Sequence, residues 1–235
     1  MNIMNLEEYK GVYVFAQQVD GVVGGIAFEL VGEAKKLAKD LNEEVTAILI
    51  GSDIKGQADE LGAYGADRVI VVDDPALKDY RTEPYTHAMA SVIKKYKPEI
   101  VLIGATAIGR DLGPRVSARI HTGLTADCTH LDVDVEKYAA FLQEASALPQ
   151  AQIDALNRED RNLKMTRPAF GGHLMATIIC PRFRPQMATV RPGVLKKGEY
   201  NEAKANAVVV VPVAFELSEA VIMTKVLVVV KEAKK

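Results

Sequence analysis

The sequence predicts an α/β protein built on a doubly wound, mostly parallel sheet with antiparallel C-terminal additions. Short runs rich in Val and Ile indicate strands buried on both faces, at residues 11–16, 45–51, 68–72 and 100–104. Between these runs, apolar residues recur at helical spacing. Strands that alternate with helices form parallel sheets through right-handed crossovers, so the first half of the chain fixes the fold class.

Each predicted helix follows from an apolar stripe. The three stripes are Ile26–Leu30–Ala34–Leu37–Leu41, Tyr85–Met89–Val92–Tyr96 and Ile108–Leu112–Val116–Ile120. Residues 139–160 are typical of a helical hairpin whose second helix opens at Pro149. We interpret this hairpin as a docking surface for an additional subunit.

The second half is expected to add strands to the same sheet. Strand-like runs punctuated by Gly and Pro occupy residues 164–167, 174–180, 187–191 and 207–215. We expect mixed or antiparallel pairing for them. Residues 1–216 then form one domain, and residues 217–235 form an arm or linker in which Leu217, Val221, Thr224 and Val228 have helical spacing.

Composition excludes several classes of protein. Of 235 residues, 49% are apolar and 26% are charged, as in ordinary globular domains. No apolar run reaches 18 residues, which argues against a membrane span. The acidic N-terminus lacks an apolar signal core, and Cys128 and Cys180 lack CxxC spacing. We therefore expect a cytoplasmic protein with buried, reduced thiols.

The most informative stretch for function is strongly basic. Residues 158–197 hold nine Lys or Arg and two acids, a formal charge of +7 against −2 for the whole chain. Such a local field attracts an anion. Within it Arg167 precedes Pro168, Gly171 and Gly172, which places a fixed cation beside unhindered backbone and suits contact with a flat cofactor. A solvated basic sheet edge is the alternative.

A second candidate site follows the fourth predicted strand. Glycines and Arg110 lie in the strand-to-helix connection of residues 104–115, where a helix N-terminus favours anions. The spacing matches neither GxGxxG nor a P-loop. We therefore interpret this connection either as a phosphate-binding site or as a plain turn after which Asp111 and Arg115 pair on the helix surface.

Other chemistries find little support. The four histidines are scattered and have no metal-ligand spacing, so no metal site is expected. No Ser-His-Asp or Cys-His arrangement is evident, so we expect no catalytic residue acting alone. The basic stretch lacks the interleaved aromatics of nucleic-acid binders apart from Phe170 and Phe183, so no nucleic-acid partner is expected.

Five separated motifs resemble the α subunit of electron transfer flavoproteins, and specifically its electron-bifurcating branch. They occur in the family's order, and the resemblance spans residues 6–232 except the helical segment at 139–160, which the resemblance implies is an insert. The motifs are EYKGVYVFAQ, IGATAIGRDLGPRVSARIHTGLTADCT, TRPAFGG, CPRFRPQMATVRPG and MTKVL.

This resemblance implies a nucleotide-α-hydrolase-like, Rossmann-like domain that pairs with a homologous β subunit. FAD then lies between the subunits, with Arg167 of TRPAFGG against the isoalloxazine and Pro168, Gly171 and Gly172 beside it. NADH bound by the β side reduces this flavin. Electrons then go to ferredoxin or flavodoxin and, through a second FAD, to an acyl-CoA dehydrogenase-like partner. By weaker analogy, Arg110, Thr125 and Asp127 contact phosphate or, preferably, the subunit interface.

The resemblance also leaves alternatives open. Family α subunits continue into a domain that binds the second FAD, and this sequence stops where that domain is expected. Three explanations stay open: the sequence is truncated, a flexible second domain is missing from it, or the protein is a shortened variant. We expect this chain not to hold the second flavin alone. A non-bifurcating electron transfer flavoprotein is the nearest alternative function, and a universal-stress-protein-type regulatory module is a remote one.

Overall fold

The computed structural model describes residues 4–218 and 222–230. Its strands are β1 (Val12–Ala16), β2 (Gln18–Val19), β3 (Val22–Val23), β4 (Val45–Gly51), β5 (Arg68–Asp73), β6 (Ile100–Gly104), β7 (Leu124–Cys128), β8 (His130–Asp132), β9 (Lys164–Ala169), β10 (Leu174–Ile178), β11 (Gln186–Val190) and β12 (Val209–Pro212). Its α-helices are α1 (Gly25–Leu41), α2 (Ala58–Ala63), α3 (Thr82–Tyr96), α4 (Ala107–Ile120), α5 (Val135–Ala145), α6 (Gln150–Asp154) and α7 (Glu202–Ala205).

The central sheet has seven strands in the order β12-β5-β4-β1-β6-β11-β7, and its pairings are parallel. The four strands predicted from apolar runs are β1, β4, β5 and β6, which lie side by side. The prediction of an α/β fold with a mostly parallel sheet is confirmed.

Helices cover both faces of this sheet. Side chains alternate between the two faces of a strand, so Val12 and Val14 of β1 pack into a core with α1 and α2. Tyr13 and Phe15 of the same strand pack into a second core with α3 and α4. The three predicted apolar stripes are the buried faces of α1, α3 and α4.

The predicted C-terminal additions behave differently from one another. Strands β8, β9 and β10 form a separate antiparallel sheet in the order β10-β9-β8, instead of extending the central one. Strands β11 and β12 do join the central sheet, but as parallel members. All five residues of β11 are buried, as a strand inserted between β6 and β7 requires.

The helical hairpin predicted at 139–160 is present but begins earlier, at Val135. Pro149 is the N-cap of α6, as predicted. The two helices share a small core of their own, made of Tyr138, Ala139, Leu142 and Ile153. Its place as an insert and its docking role stay predictions.

The predicted arm has little regular structure where it is described. Residues 222–230 contain no helix or strand, and Met223 and Leu227 are almost fully exposed. Arg81 Nη1 donates a hydrogen bond of 2.9 Å to the Thr224 carbonyl, which ties this segment to the domain. Val221, part of the predicted helical spacing, lies outside the described residues.

Glycine is required where α4 starts immediately behind β6. A Cβ built on Gly109 would lie 1.7 Å from the carbonyl oxygen of Gly104, far inside any real contact. Because this neighbour is backbone and not a flexible side chain, the first turn of α4 can approach β6 this closely only with glycine at position 109.

We expect Gly109→Ala to lower the free energy of unfolding by about 3 kcal/mol, because α4 must move away from β6. Urea unfolding of the purified chain measures the change. Gly56→Ala is the matched control, since a Cβ at Gly56 meets no atom within 4 Å, and we expect a change below about 0.5 kcal/mol. Equal stabilities of the two variants would contradict the packing argument.

Candidate functional site at the carboxyl edge of the sheet

The chain runs from β1 through β4 to β5 on one side and then returns to place β6 on the other side of β1. Ligands of open parallel sheets bind at such a reversal, beyond the carboxyl ends of the strands. Here the segment after β1 and the segment after β6 are joined by a hydrogen bond, in which the Thr106 hydroxyl donates to Gln17 Oε1 at 2.5 Å. The same hydroxyl accepts from the Gly109 N–H at 3.1 Å. Ile26 packs directly against Gly104, so protein atoms fill the space next to β6.

Arg110 is bound by the protein itself. Its Nε donates to the Ala105 carbonyl at 2.9 Å, and its Nη2 donates to Asp127 Oδ1 at 3.0 Å. The alternative surface pair of Asp111 with Arg115 does not form a hydrogen-bonded ion pair. Asp111 Oδ2 instead accepts from Tyr80 and Thr82, at 2.6 and 2.5 Å, which joins α4 to the start of α3.

Asp127 lies at a β-bulge between β7 and β11. The register shifts from Ala188 opposite Thr125 to Val190 opposite Cys128, which leaves one extra residue in β7. Asp127 takes a left-handed conformation with φ of 64°, which Asp tolerates better than most residues. Its N–H donates to Thr189 Oγ1 at 2.9 Å. Because bulges redirect side chains, the carboxylate reaches beyond the sheet edge.

Two arginines share this carboxylate. Arg191 follows β11 and donates to Asp127 Oδ2 at 2.6 Å, while Arg110 donates to Oδ1. The hydrogen bond from Arg191 is the main cause that lowers the pKa of the Asp127 carboxyl, with further lowering by the charges of Arg110 and Arg167. We call Asp127 with Arg110, Arg167 and Arg191 the arginine cluster.

Arg167 differs from the other two arginines of the cluster. It lies in β9 opposite Ala176 and is half-buried. Its Nε is fully buried and has no hydrogen-bond partner among the described residues. An unpaired buried donor costs about 1–3 kcal/mol, so this nitrogen is suited to an acceptor from outside the chain. Burial raises the pKa of the nearby Cys128 thiol to about 12, a rise that the Arg167 charge opposes.

The turn after Arg167 leaves its backbone accessible. Phe170, Gly171 and Gly172 have φ of 48°, 68° and 92°, a run of left-handed residues between β9 and β10. A Cβ built on Gly172 would meet no atom within 4 Å. Pro168 is partly buried opposite Met175. The structure thus places the predicted cation beside an open, glycine-rich turn.

The remaining predicted residue, Thr125, is buried in β7 opposite Ala188. The structure therefore brings Arg110, Asp127 and Arg167 together, while Thr125 lies inside the sheet. Sequence reasoning missed Arg191 as a member of this site. The sequence did not reveal it, because the strand-like run before Arg191 was expected to pair in a mixed or antiparallel way, and the parallel pairing of β11 is what brings Arg191 to this edge.

Across residues 4–218 and 222–230, no three His, Cys, Asp or Glu side chains are grouped as a metal site needs. Within the same ranges, every helix is too short or too polar to cross a bilayer.

The sheet topology and the arginine cluster define a Rossmann-like α/β domain with a basic carboxyl edge. A model of the electron transfer flavoprotein domain matches residues 12–216. The chain therefore belongs to the electron transfer flavoprotein family, and the resemblance to that family drawn from its motifs is confirmed, while its place in the bifurcating branch stays a prediction.

Similar proteins carry electron-transfer names. The chain is 52% identical to the acryloyl-CoA reductase electron transfer subunit beta of Anaerotignum propionicum, over all of this chain and 64% of that relative. It is 45% identical to the electron transfer flavoprotein subunit alpha of Clostridium acetobutylicum, over 98% of this chain and 62% of the relative. Subunit LctC of the lactate dehydrogenase (NAD(+),ferredoxin) of Acetobacterium woodii is 40% identical over 78% of this chain and 38% of the relative. The chain thus spans less than two thirds of these relatives' lengths.

We expect Asp127→Asn to lower the free energy of unfolding by about 1 kcal/mol at neutral pH, because two hydrogen-bonded arginines lose their counter-charge. The folded-state pKa of this carboxyl is lowered, so its contribution is complete above the ordinary Asp pKa of about 3.9 and is lost as pH falls through the lower folded value. The stability difference should stay constant down to about pH 5 and shrink below about pH 4. Urea unfolding across this range measures it, and a difference that grows on acidification would refute the assignment.

Proposed function

We propose that this chain is the α subunit of a heterodimeric electron transfer flavoprotein that helps hold a bifurcating FAD at its interface with the β subunit. The electrons come from NADH and pass to ferredoxin or flavodoxin and to an acyl-CoA dehydrogenase-like partner. The single observation that carries the site is the buried, unpartnered Nε of Arg167. The names of the relatives support the donor and acceptor classes, since they mention acryloyl-CoA, NAD(+) and ferredoxin.

The residues present fit a flavin ring. An isoalloxazine offers ring nitrogens and carbonyl oxygens as acceptors, which match the free donor on Arg167. The turn at Gly171 and Gly172, a few residues further along the chain, leaves open backbone that a planar group can approach. When bound, FAD supplies the reversible uptake of one or two electrons.

This chain would bind and orient the flavin ring and would place a positive charge beside it. Arg167 would donate a hydrogen bond to the ring and keep its positive charge at any working pH. A fixed cation stabilises negative charge that the ring gains on reduction, so it raises the affinity of the ring for electrons. Pro168 limits the backbone freedom of the segment that carries Arg167.

An apolar surface beside Arg167 supports a partner subunit. Large apolar side chains are exposed on β10, in the segment that follows β10, and at Phe170 in the turn before it. Strand β10 is also the edge strand of its sheet. We call this set the hairpin surface: Phe170, Leu174, Met175, Ile178, Ile179 and Phe183. Exposed apolar side chains next to a polar site are typical of protein–protein contacts, so the proposed β subunit would cover them and complete the flavin site.

A non-bifurcating electron transfer flavoprotein is the second candidate. The match to the family domain favours neither type. Anaerobic titration of the reconstituted heterodimer with NADH separates them: direct two-electron reduction of the interface FAD by NADH supports bifurcation, and no reduction supports the non-bifurcating type. We also propose a cytoplasmic location, because Cys128 and Cys180 are both free thiols. Both thiols were predicted to be buried; Cys128 is buried, whereas Cys180 is partly exposed.

Arg167→Ala is expected to weaken FAD binding to the reconstituted heterodimer about 10- to 100-fold, the value of a charge-assisted hydrogen bond. Fluorescence titration of FAD into the flavin-free heterodimer measures the affinity. Arg115→Ala, which removes an exposed arginine of α4, is the control and should bind FAD normally. If Arg167→Ala leaves the affinity for FAD unchanged, the proposed flavin site at Arg167 is wrong.

Leu174→Lys is expected to weaken association with the β subunit at least about tenfold, because a charge replaces an apolar side chain inside the proposed contact. Sedimentation velocity over a dilution series gives the dissociation constant. Leu148→Lys is the matched control, since Leu148 is a similarly exposed leucine in the connection between α5 and α6. If the two variants associate equally well, the hairpin surface is not the contact.

A further inference from the structure

The arginine cluster contains more positive charge than its carboxylate can pair. Three guanidinium groups lie near Asp127, and both carboxylate oxygens already accept hydrogen bonds from Arg110 and Arg191. A third bond, from Arg191 Nε to Oδ1, is longer at 3.4 Å. Arg167 is near enough for its charge to lower the pKa of Asp127, yet it forms no ion pair within 4 Å in the described ranges.

This division of partners leaves one arginine available for a ligand. Arg110 is also held by the Ala105 carbonyl, so its position is fixed from two sides. Arg191 has Asp127 as its side-chain partner and occupies the oxygen that Arg110 leaves free. Because two guanidinium groups already outweigh the single negative charge of Asp127, Arg167 gains little by turning towards it.

We propose that Arg191 is a positioning residue: by occupying Asp127, it keeps the guanidinium of Arg167 unpaired and free to bind the cofactor. This proposal rests on the proposed function, in which Arg167 meets the flavin. Arg191 acts through Asp127, without contact to the ring.

The backbone around the cluster is held independently of these side chains. The Asp127 N–H bonds to Thr189 Oγ1, and the Arg191 N–H bonds to the Cys128 carbonyl at 2.9 Å. Removing the Arg191 guanidinium therefore leaves β7 and β11 in register. It also frees Asp127 Oδ2, while Arg110 keeps its hydrogen bond to Oδ1. The freed oxygen can then accept a hydrogen bond from Arg167, whose charge already acts on this carboxyl.

The test uses the heterodimer reconstituted with the β subunit, with FAD as the probe. Arg191→Gln is expected to weaken FAD binding about tenfold, because Arg167 pairs with Asp127 and no longer with the ring. It should also shift the midpoint potential of the flavin in the same direction as Arg167→Ala. The double variant Arg191→Gln with Asp127→Asn should recover wild-type affinity and potential, since no carboxylate remains to capture Arg167. Arg191→Lys, which keeps a cation on Asp127, should also resemble wild type.

The outcomes separate the two proposals. If Arg167→Ala does not alter FAD binding, the proposed function fails. If Arg167→Ala weakens binding but Arg191→Gln does not, only the positioning role is overturned. If Arg191→Gln weakens binding and the second substitution at Asp127 does not restore it, Arg191 acts by another route and the positioning role is likewise overturned.

Discussion

One carboxylate at a β-bulge organises the arginine cluster at the carboxyl edge of the central sheet. Asp127 can receive Arg110 from α4 and Arg191 from the end of β11 only because the extra residue in β7 turns its side chain outward. That bulge depends in turn on β11 lying between β6 and β7 in the central sheet. The register of buried strands therefore determines where the charges stand, and the unpaired donor of Arg167 follows from how those charges are shared.

The fold also explains why the proposed flavin site is not in the usual crevice of a doubly wound sheet. Between β1 and β6, the Gln17–Thr106 hydrogen bond and the Ile26 side chain fill the space that a ligand would need. The open position lies instead beside the small antiparallel sheet, whose edge strand β10 carries exposed apolar side chains. A site open to a neighbouring apolar surface is one that a second subunit can complete.

Much of the fold was predictable because it follows from local periodicity. Residues 45–51 and 100–104 are strands with the predicted bounds, since apolar runs in parallel strands reflect burial on both faces. Sheet membership of the later strands was not predictable, because it depends on long-range pairing that the runs do not encode. At the site, Arg167 was identified from the charge and glycines around it. Arg191 was missed because its role comes from a bulge and a shared carboxylate, which leave no pattern in the sequence.

The most direct test of the central claim is a crystal structure of the heterodimer with FAD bound. We expect the Arg167 guanidinium to lie within hydrogen-bonding distance, about 3 Å, of the isoalloxazine, with Arg191 still on Asp127. A structure in which Arg167 faces solvent or pairs with Asp127, while the flavin binds elsewhere, would contradict this expectation.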